Sequence, residues 1–138
     1  MPRTLGIDLG DRWIGLALGD PTGTYARPLE VVGRGDAFWK AIERLVTDEE
    51  VDRIVLGLPL NMDGSAGPRA KEALAFKAEI ERRSGLPVDT WDERLTTVQA
   101  EAFLRSSGLS GSKRAQRVDK VAAQIILQSY LDRQKTPP

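Results

Sequence analysis

Residues 3–19, RTLGIDLGDRWIGLALG, hold two strand-like stretches, 3–9 and 12–19, joined by a tight turn at Gly10-Asp11. Strands joined so closely pair antiparallel, so the sheet begins with a hairpin. Successive strand residues point to opposite faces. Leu5, Ile7 and Leu9 therefore share one face, and Gly6, Asp8 and Gly10 the other. In the second strand Ile14, Leu16 and Leu18 oppose Trp13, Gly15 and Ala17. The expectation is a first strand that buries one side and presents a bare carboxylate on the other. That wastes apolar area unless something approaches Asp8 closely. The plainer alternative is that Asp8 caps the turn.

The rest of the chain builds on that hairpin. A third strand is expected over 24–32, then a helix over 37–47 with Asp36 as its N-cap. RIVLGL, 53–58, is a continuous apolar run of the kind that forms a central strand, and PLNMDGSAG after it reads as a loop. A helix from about Gly67 to Ser84 stops at Gly85, with Pro87 beyond. PVDTWDE, 87–93, is a short strand, and Thr96 with Gln99 forms a capping-box pattern for a helix ending near Gly108. After SSGLSGSK a last helix spans 114–133, within a single domain over 1–134 that leaves 135–138 as a frayed tail. A hairpin followed by αβα units predicts an α/β protein, a mixed sheet with helices on its faces.

Composition restricts the chemistry. The 138 residues include no Cys, hence no thiolate nucleophile or Cys-ligated metal, and no His, hence no Ser-His-Asp arrangement. An enzyme made from this chain would rely on carboxylates, whose natural partner is a hard cation such as Mg²⁺ or Mn²⁺. No apolar run reaches the length of a membrane span, and no signal peptide is evident, so the expected location is the cytoplasm.

Three positions carry the chemical argument. Asp8 is the first. Asp119 falls on the line of Ala122, Ala123, Ile126 and Tyr130 when the last helix is wound at about 100° per residue. It therefore opens the apolar stripe, unless it caps a helix that starts at Lys120. At the end of the fifth strand Asp92 and Glu93 are adjacent and point to opposite faces, so one of the two can reach the site, and the pattern does not choose. Carboxylates from a first strand, a later strand end and a last helix can converge at one sheet edge. There they can hold two divalent cations about 4 Å apart, an arrangement that hydrolyses phosphodiesters without histidine. Basic residues stand nearby: Arg12 and Arg94, and Lys113, Arg114, Arg117 and Lys120 around Asp119. They are expected to hold a nucleic-acid backbone. The balance of 20 acidic and 20 basic residues argues mildly against a global basic surface.

In GIDLGDRWIGLALGD, GLPLNMDGSAG, DERLTT and VDKVAAQIILQSYLD, the chain resembles the YqgF/RuvX family, small bacterial proteins with an RNase H-like fold. The resemblance covers nearly the whole chain and implies a mixed five-stranded sheet flanked by helices. It also implies a metal-dependent nuclease, a role associated both with Holliday junction resolution and with 5′-end maturation of 16S rRNA. Carried over by motif, the family's acidic positions fall on Asp8, Glu93 and Asp119, which favours Glu93 over Asp92. Two departures stand out. Family members commonly carry two basic residues where this chain has Arg12 and Trp13, so some backbone contact is lost or Trp13 stacks on a base or splayed end instead. The related RuvC resolvases carry a fourth acid where this chain has Ala122.

The leading expectation is a Mg²⁺- or Mn²⁺-dependent endonuclease on structured RNA or branched DNA, with a homodimer needed if it resolves junctions. A catalytically silent RNA-binding assembly factor is the runner-up. GIDLG also looks like the first phosphate loop of the actin/Hsp70/sugar-kinase fold, which requires a second lobe that 138 residues do not supply.

Overall fold

The computed structural model describes residues 2–94 and 111–135, with side chains over 2–94 and 121–134. Its elements are β1 (Arg3–Leu9), β2 (Trp13–Gly19), β3 (Ala26–Gly33), α1 (Asp36–Asp48), β4 (Val51–Leu58), α2 (Pro68–Ser84), β5 (Val88–Asp92) and α3 (Gly111–Lys135). The helix expected between Thr96 and Gly108 lies outside the described residues.

The five strands form one mixed sheet in the order β3-β2-β1-β4-β5. β1, β2 and β3 pair antiparallel, whereas β4 lies parallel to β1 and β5 parallel to β4. Parallel neighbours need a crossover, and α1 and α2 lie in those connections. On one face Leu5, Ile7, Ile14, Leu16 and Leu18 pack with Phe38, Ile42 and Leu45 of α1 and with Ala73 and Ile80 of α2. On the other, Ala17, Ala26 and Val55 pack with Ala123, Ile126, Leu127, Tyr130 and Leu131 of α3. Each fully buried Ile or Leu there contributes about 2 kcal/mol.

Both faces of β1 are therefore covered, which corrects the expectation of a bare glycine face. A Cβ at Gly6 would sit 2.7 Å from Leu127 Cβ and 3.1 Å from the Ala123 carbonyl oxygen. Gly6 makes room for a helix, not for a ligand. The cap of α1 is a second correction. Gly35 is the N-cap, with φ 101, and its carbonyl accepts from the Phe38 and Trp39 N–H groups. Glycine adopts that backbone readily, and Asp36 becomes the first helical residue, where its charge still favours the helix dipole.

Strand β3 starts two residues later than expected because the Asp20 carboxylate accepts the Thr24 and Tyr25 N–H bonds in a turn. Helix α2 follows the sequence pattern closely, with N-cap Gly67, Pro68 in its first turn and left-handed Gly85 at its end. Helix α3 is longer than expected at both ends. Gln128 anchors it to the sheet edge, accepting from the Ala26 N–H and donating to the Thr24 carbonyl, both at 2.8 Å.

Candidate active site

Asp8 lies near the end of β1, next to Gly15 of β2. The register Ile7↔Leu56 places Gly57 of β4 beside it on the other side. Gly57 in turn pairs with Trp91 of β5, and Trp91 and Glu93 share a face by alternation. That is the face covered by α3, against which Trp91 also packs. Glu93 leaves the strand with its N–H still bonded to the Leu58 carbonyl at 3.1 Å. Its carboxyl crosses above Gly57 to reach Asp8.

Gly57 makes that crossing possible. A Cβ at this position would lie 2.7 Å from Glu93 Cδ and 2.7 Å from Ile126 Cδ1. Among the described residues Asp8 and Glu93 are the two charged ones buried in the core, at 8% and 9% exposure, and they are hydrogen-bonded to each other. Burial pushes Asp8 well above the usual carboxylate range, and the Glu93 charge and hydrogen bond add to the rise. Burial also raises Glu93, while the bond from Asp8 and the Arg69 guanidinium act against it. Burial and the neighbouring Glu93 charge thus both favour the protonated form of Asp8. Two buried carboxylates at hydrogen-bond distance cannot both ionise without a compensating positive charge. As oxygen donors in that situation they suit a hard divalent cation.

Asp92 takes no part in the pair. Its carboxylate receives Arg94 through Nε at 2.8 Å and through the second guanidinium nitrogen at 2.6 Å. That partnership lowers the Asp92 pKa. Arg94 also donates to the Met62 carbonyl at 3.3 Å, tying the end of β5 to the β4–α2 loop. Arg12 stands exposed in the β1–β2 turn. Among the described side chains the acidic cluster is a pair.

The course of α3 locates Asp119. Leu131 lies over Gly19, and Leu127 and Ala123 lie over Gly6, so the helix runs toward the Asp8 end of β1. One further turn carries the backbone about 6 Å from Ala123 to Asp119, much as two strand residues carry it about 7 Å from Gly6 to Asp8. The backbone of Asp119 is thus brought level with Asp8. Lys113, Arg114, Arg117 and Lys120 belong to the same first part of α3. Ala122, where RuvC resolvases carry an acid, is buried at 2% exposure.

Sequence reasoning missed Arg69. It stands in the first turn of α2, and its charge acts on both Asp8 and Glu93. It lies 3.9 Å from Asp11 of the β1–β2 turn. The Pro68 signal that starts α2 was visible, but the direction in which α2 delivers its first turn depends on the sheet order.

A family model described as RuvX, Holliday junction resolvase, matches residues 2–133. The chain belongs to the RuvX family. A relative from Pelotomaculum thermopropionicum is 48% identical over 138 residues, covering 98% of this chain and 90% of that protein. Another, from Halalkalibacterium halodurans, is 47% identical over 137 residues, covering 96% and 98%. Both carry the name "Putative pre-16S rRNA nuclease". Among solved structures, T. thermophilus RuvC in complex with a Holliday junction substrate superposes with a TM-score of 0.55 at 17% identity, covering 99% of this chain and 98% of that one. The fowlpox virus Holliday junction resolvase gives 0.55 at 13%, covering 96% and 99%. At these identities the likeness is one of fold, and it makes the RuvX sheet and helices RNase H-like, as the resemblance implied.

Proposed function

We propose that this RuvX-family chain is a divalent-metal-dependent endonuclease that hydrolyses phosphodiester bonds in structured nucleic acid. Its physiological substrate in this reading is the 5′ region of pre-16S rRNA, with branched DNA such as a four-way junction as a second substrate. The observation that carries the proposal is the buried, mutually hydrogen-bonded Asp8–Glu93 pair, on which the Arg69 charge acts. A structural role alone does not account for two carboxyls placed together in a core that is otherwise apolar.

Asp8, Glu93 and Asp119 would hold Mg²⁺ or Mn²⁺. Such an ion, when bound, activates water and stabilises the leaving oxygen. With such an ion bound, both carboxyls would be ionised, and the Arg69 charge, which lowers both, would help to offset them. Arg12, Arg69 and the basic residues of α3 at 113, 114, 117 and 120 would position the substrate backbone by charge. Arg94 contributes indirectly, by holding Asp92 and the β4–α2 loop in place. Among the described residues no helix is long and apolar enough to cross a membrane.

The test is Mn²⁺-dependent cleavage of a 16S precursor 5′ segment and a four-way DNA junction side by side, with Asp8→Asn as control. Cleavage that vanishes in the variant supports the metal site, and the preferred substrate selects the role. Paired cuts on opposite strands of the junction would further require a homodimer. A folded wild type that binds RNA but cuts neither substrate would make the chain a silent assembly factor.

A further inference from the structure

We infer that Trp13 is a stacking platform for an unpaired base next to the phosphodiester that is cut, so that the substrate is single-stranded at that point. The inference rests on the nuclease reading and adds the form of nucleic acid the site accepts.

The register places the indole. Asp8 pairs with Gly15, and Trp13, two residues before Gly15, lies on the same face one ladder step further out. The Gly10 N–H donates to the Trp13 carbonyl at 2.9 Å, which makes Gly10 its neighbour across the hairpin. On the other side Trp13 pairs with Gly33 of β3. A Cβ at Gly33 would meet nothing within 4 Å. Trp13 therefore has glycine at each neighbouring ladder position on its face, Gly10, Gly15 and Gly33, and its Cα lies about 7 Å along the strand from the level of Asp8.

The other two tryptophans have evident structural work. Trp39 meets Phe38 edge-on at 4.8 Å and lies beneath Arg83 at 3.9 Å. Trp91 meets Tyr130 edge-on at 6.2 Å and packs against the α3 core. Trp13 is 46% exposed. A half-exposed indole, about two residues along the sheet from an acid pair suited to a cation, matches the aromatic residues on which single-strand binders stack bases.

Charge favours the same occupant. Arg12 precedes the indole in the exposed turn, and Arg69 reaches toward Asp11 of that turn from α2. A backbone phosphate drawn to these cations and to a metal at Asp8 brings its own base to the level of Trp13. A base within a duplex already stacks on its neighbours and cannot offer its face, whereas an unpaired one can.

Binding is measured by fluorescence anisotropy on full-length protein, with Ca²⁺ replacing Mg²⁺. The probes are an RNA hairpin with a single-stranded 5′ extension and the same hairpin made blunt. Trp13→Ala should weaken binding of the extended hairpin about tenfold and leave the blunt one within about twofold, whereas Trp13→Phe keeps most of the affinity. One abasic position in the extension should cost wild type a similar factor and cost Trp13→Ala nothing more. An equal loss on both probes, or a loss on neither, overturns the stacking role. The nuclease reading would then stand on Asp8-dependent cleavage alone. A change of oligomeric state in Trp13→Ala without selective loss would make this face a protein contact and also overturn stacking. A folded wild type that binds neither probe and cuts nothing overturns both readings.

Discussion

Asp8 and Glu93 are buried against each other, and burial raises the pKa of both, so the consequence for stability has a definite sign. The folded pKa of each acid is raised above its unfolded value. The native state therefore binds more protons than the unfolded chain, and stability falls as pH rises from the unfolded pKa near 4 through the folded values. Each proton held only by the native state is worth about 1.4 kcal/mol per pH unit across that window. Asp8→Asn supplies a permanent donor to Glu93 and removes the Asp8 titration, leaving only that of Glu93. The metal-free variant should therefore melt several degrees above wild type at pH 7.5 and at the same temperature near pH 4. Calorimetry in EDTA at the two pH values checks this, and a variant less stable than wild type at pH 7.5 would contradict it. Glu93→Gln should abolish metal-dependent cleavage, whereas Asp92→Asn should keep measurable activity and lose only a little stability through the solvent-screened Arg94 pair, read by urea unfolding. Neighbouring Asp92 and Glu93 could not be separated by pattern, because the choice depends on which side of β5 is covered by α3. Arg69 was hidden for a related reason: its chain neighbours say nothing of Asp8, and only the placement of α2 brings it near.

At the scale of elements, glycine has two different uses on the same face of the sheet. Gly6 lies under the middle of α3, and Gly57 lies under the side chain of Glu93. Gly6→Ala should push α3 away from β1 and destabilise the fold by about 2 kcal/mol, the usual effect of overpacking. Gly57→Ala meets both Ile126 and the Glu93 carboxyl, so it should move a functional group as well as a helix. The expected pattern is a loss of cleavage in Gly57→Ala far beyond that of Gly6→Ala at equal residual stability. Urea titrations and cleavage rates on both variants provide the comparison, and equal activity losses would make Gly57 a packing residue only. The glycines flanking Asp8 were conspicuous in the sequence, but their purpose was not. A missing side chain signals close approach without saying what approaches. Elements with complete local punctuation were legible: α2 has Gly67 and Pro68 at its start and Gly85 at its end. The start of α1 was less so, because Gly35-Asp36 offers two capping residues and the positive φ decides for glycine.

For the whole molecule the mixed topology does the positioning. β1 sits at the centre of the sheet, with β2 antiparallel on one side and β4 parallel on the other. The ends of β1, β4 and β5 consequently fall at one edge, and the hairpin turn and the first turn of α2 come to the same edge. The sequence allowed carboxylates of a first strand and a later strand end to meet at one sheet edge, but not the arrival there of the first turn of α2, which depends on the strand order. The charge follows the same geometry. With 20 acidic and 20 basic residues the molecule has no net charge to attract nucleic acid, so the proposed binding would rest on local cations. Six candidates, Arg12, Arg69, Lys113, Arg114, Arg117 and Lys120, set a ceiling on the number of phosphates engaged. For a single-stranded site the slope of log K against log salt should then be no steeper than about −4. Replacing the four basic residues of α3 with glutamine should flatten that slope by about 3 units and weaken binding of all sequences alike. Replacing Arg27 and Arg82, which are exposed on other elements, should leave the slope unchanged. Anisotropy titrations at several salt concentrations measure both. A steeper wild-type slope, or one insensitive to the α3 substitutions, would place the electrostatic contact away from the Asp8 edge and detach nucleic-acid binding from the carboxylate pair.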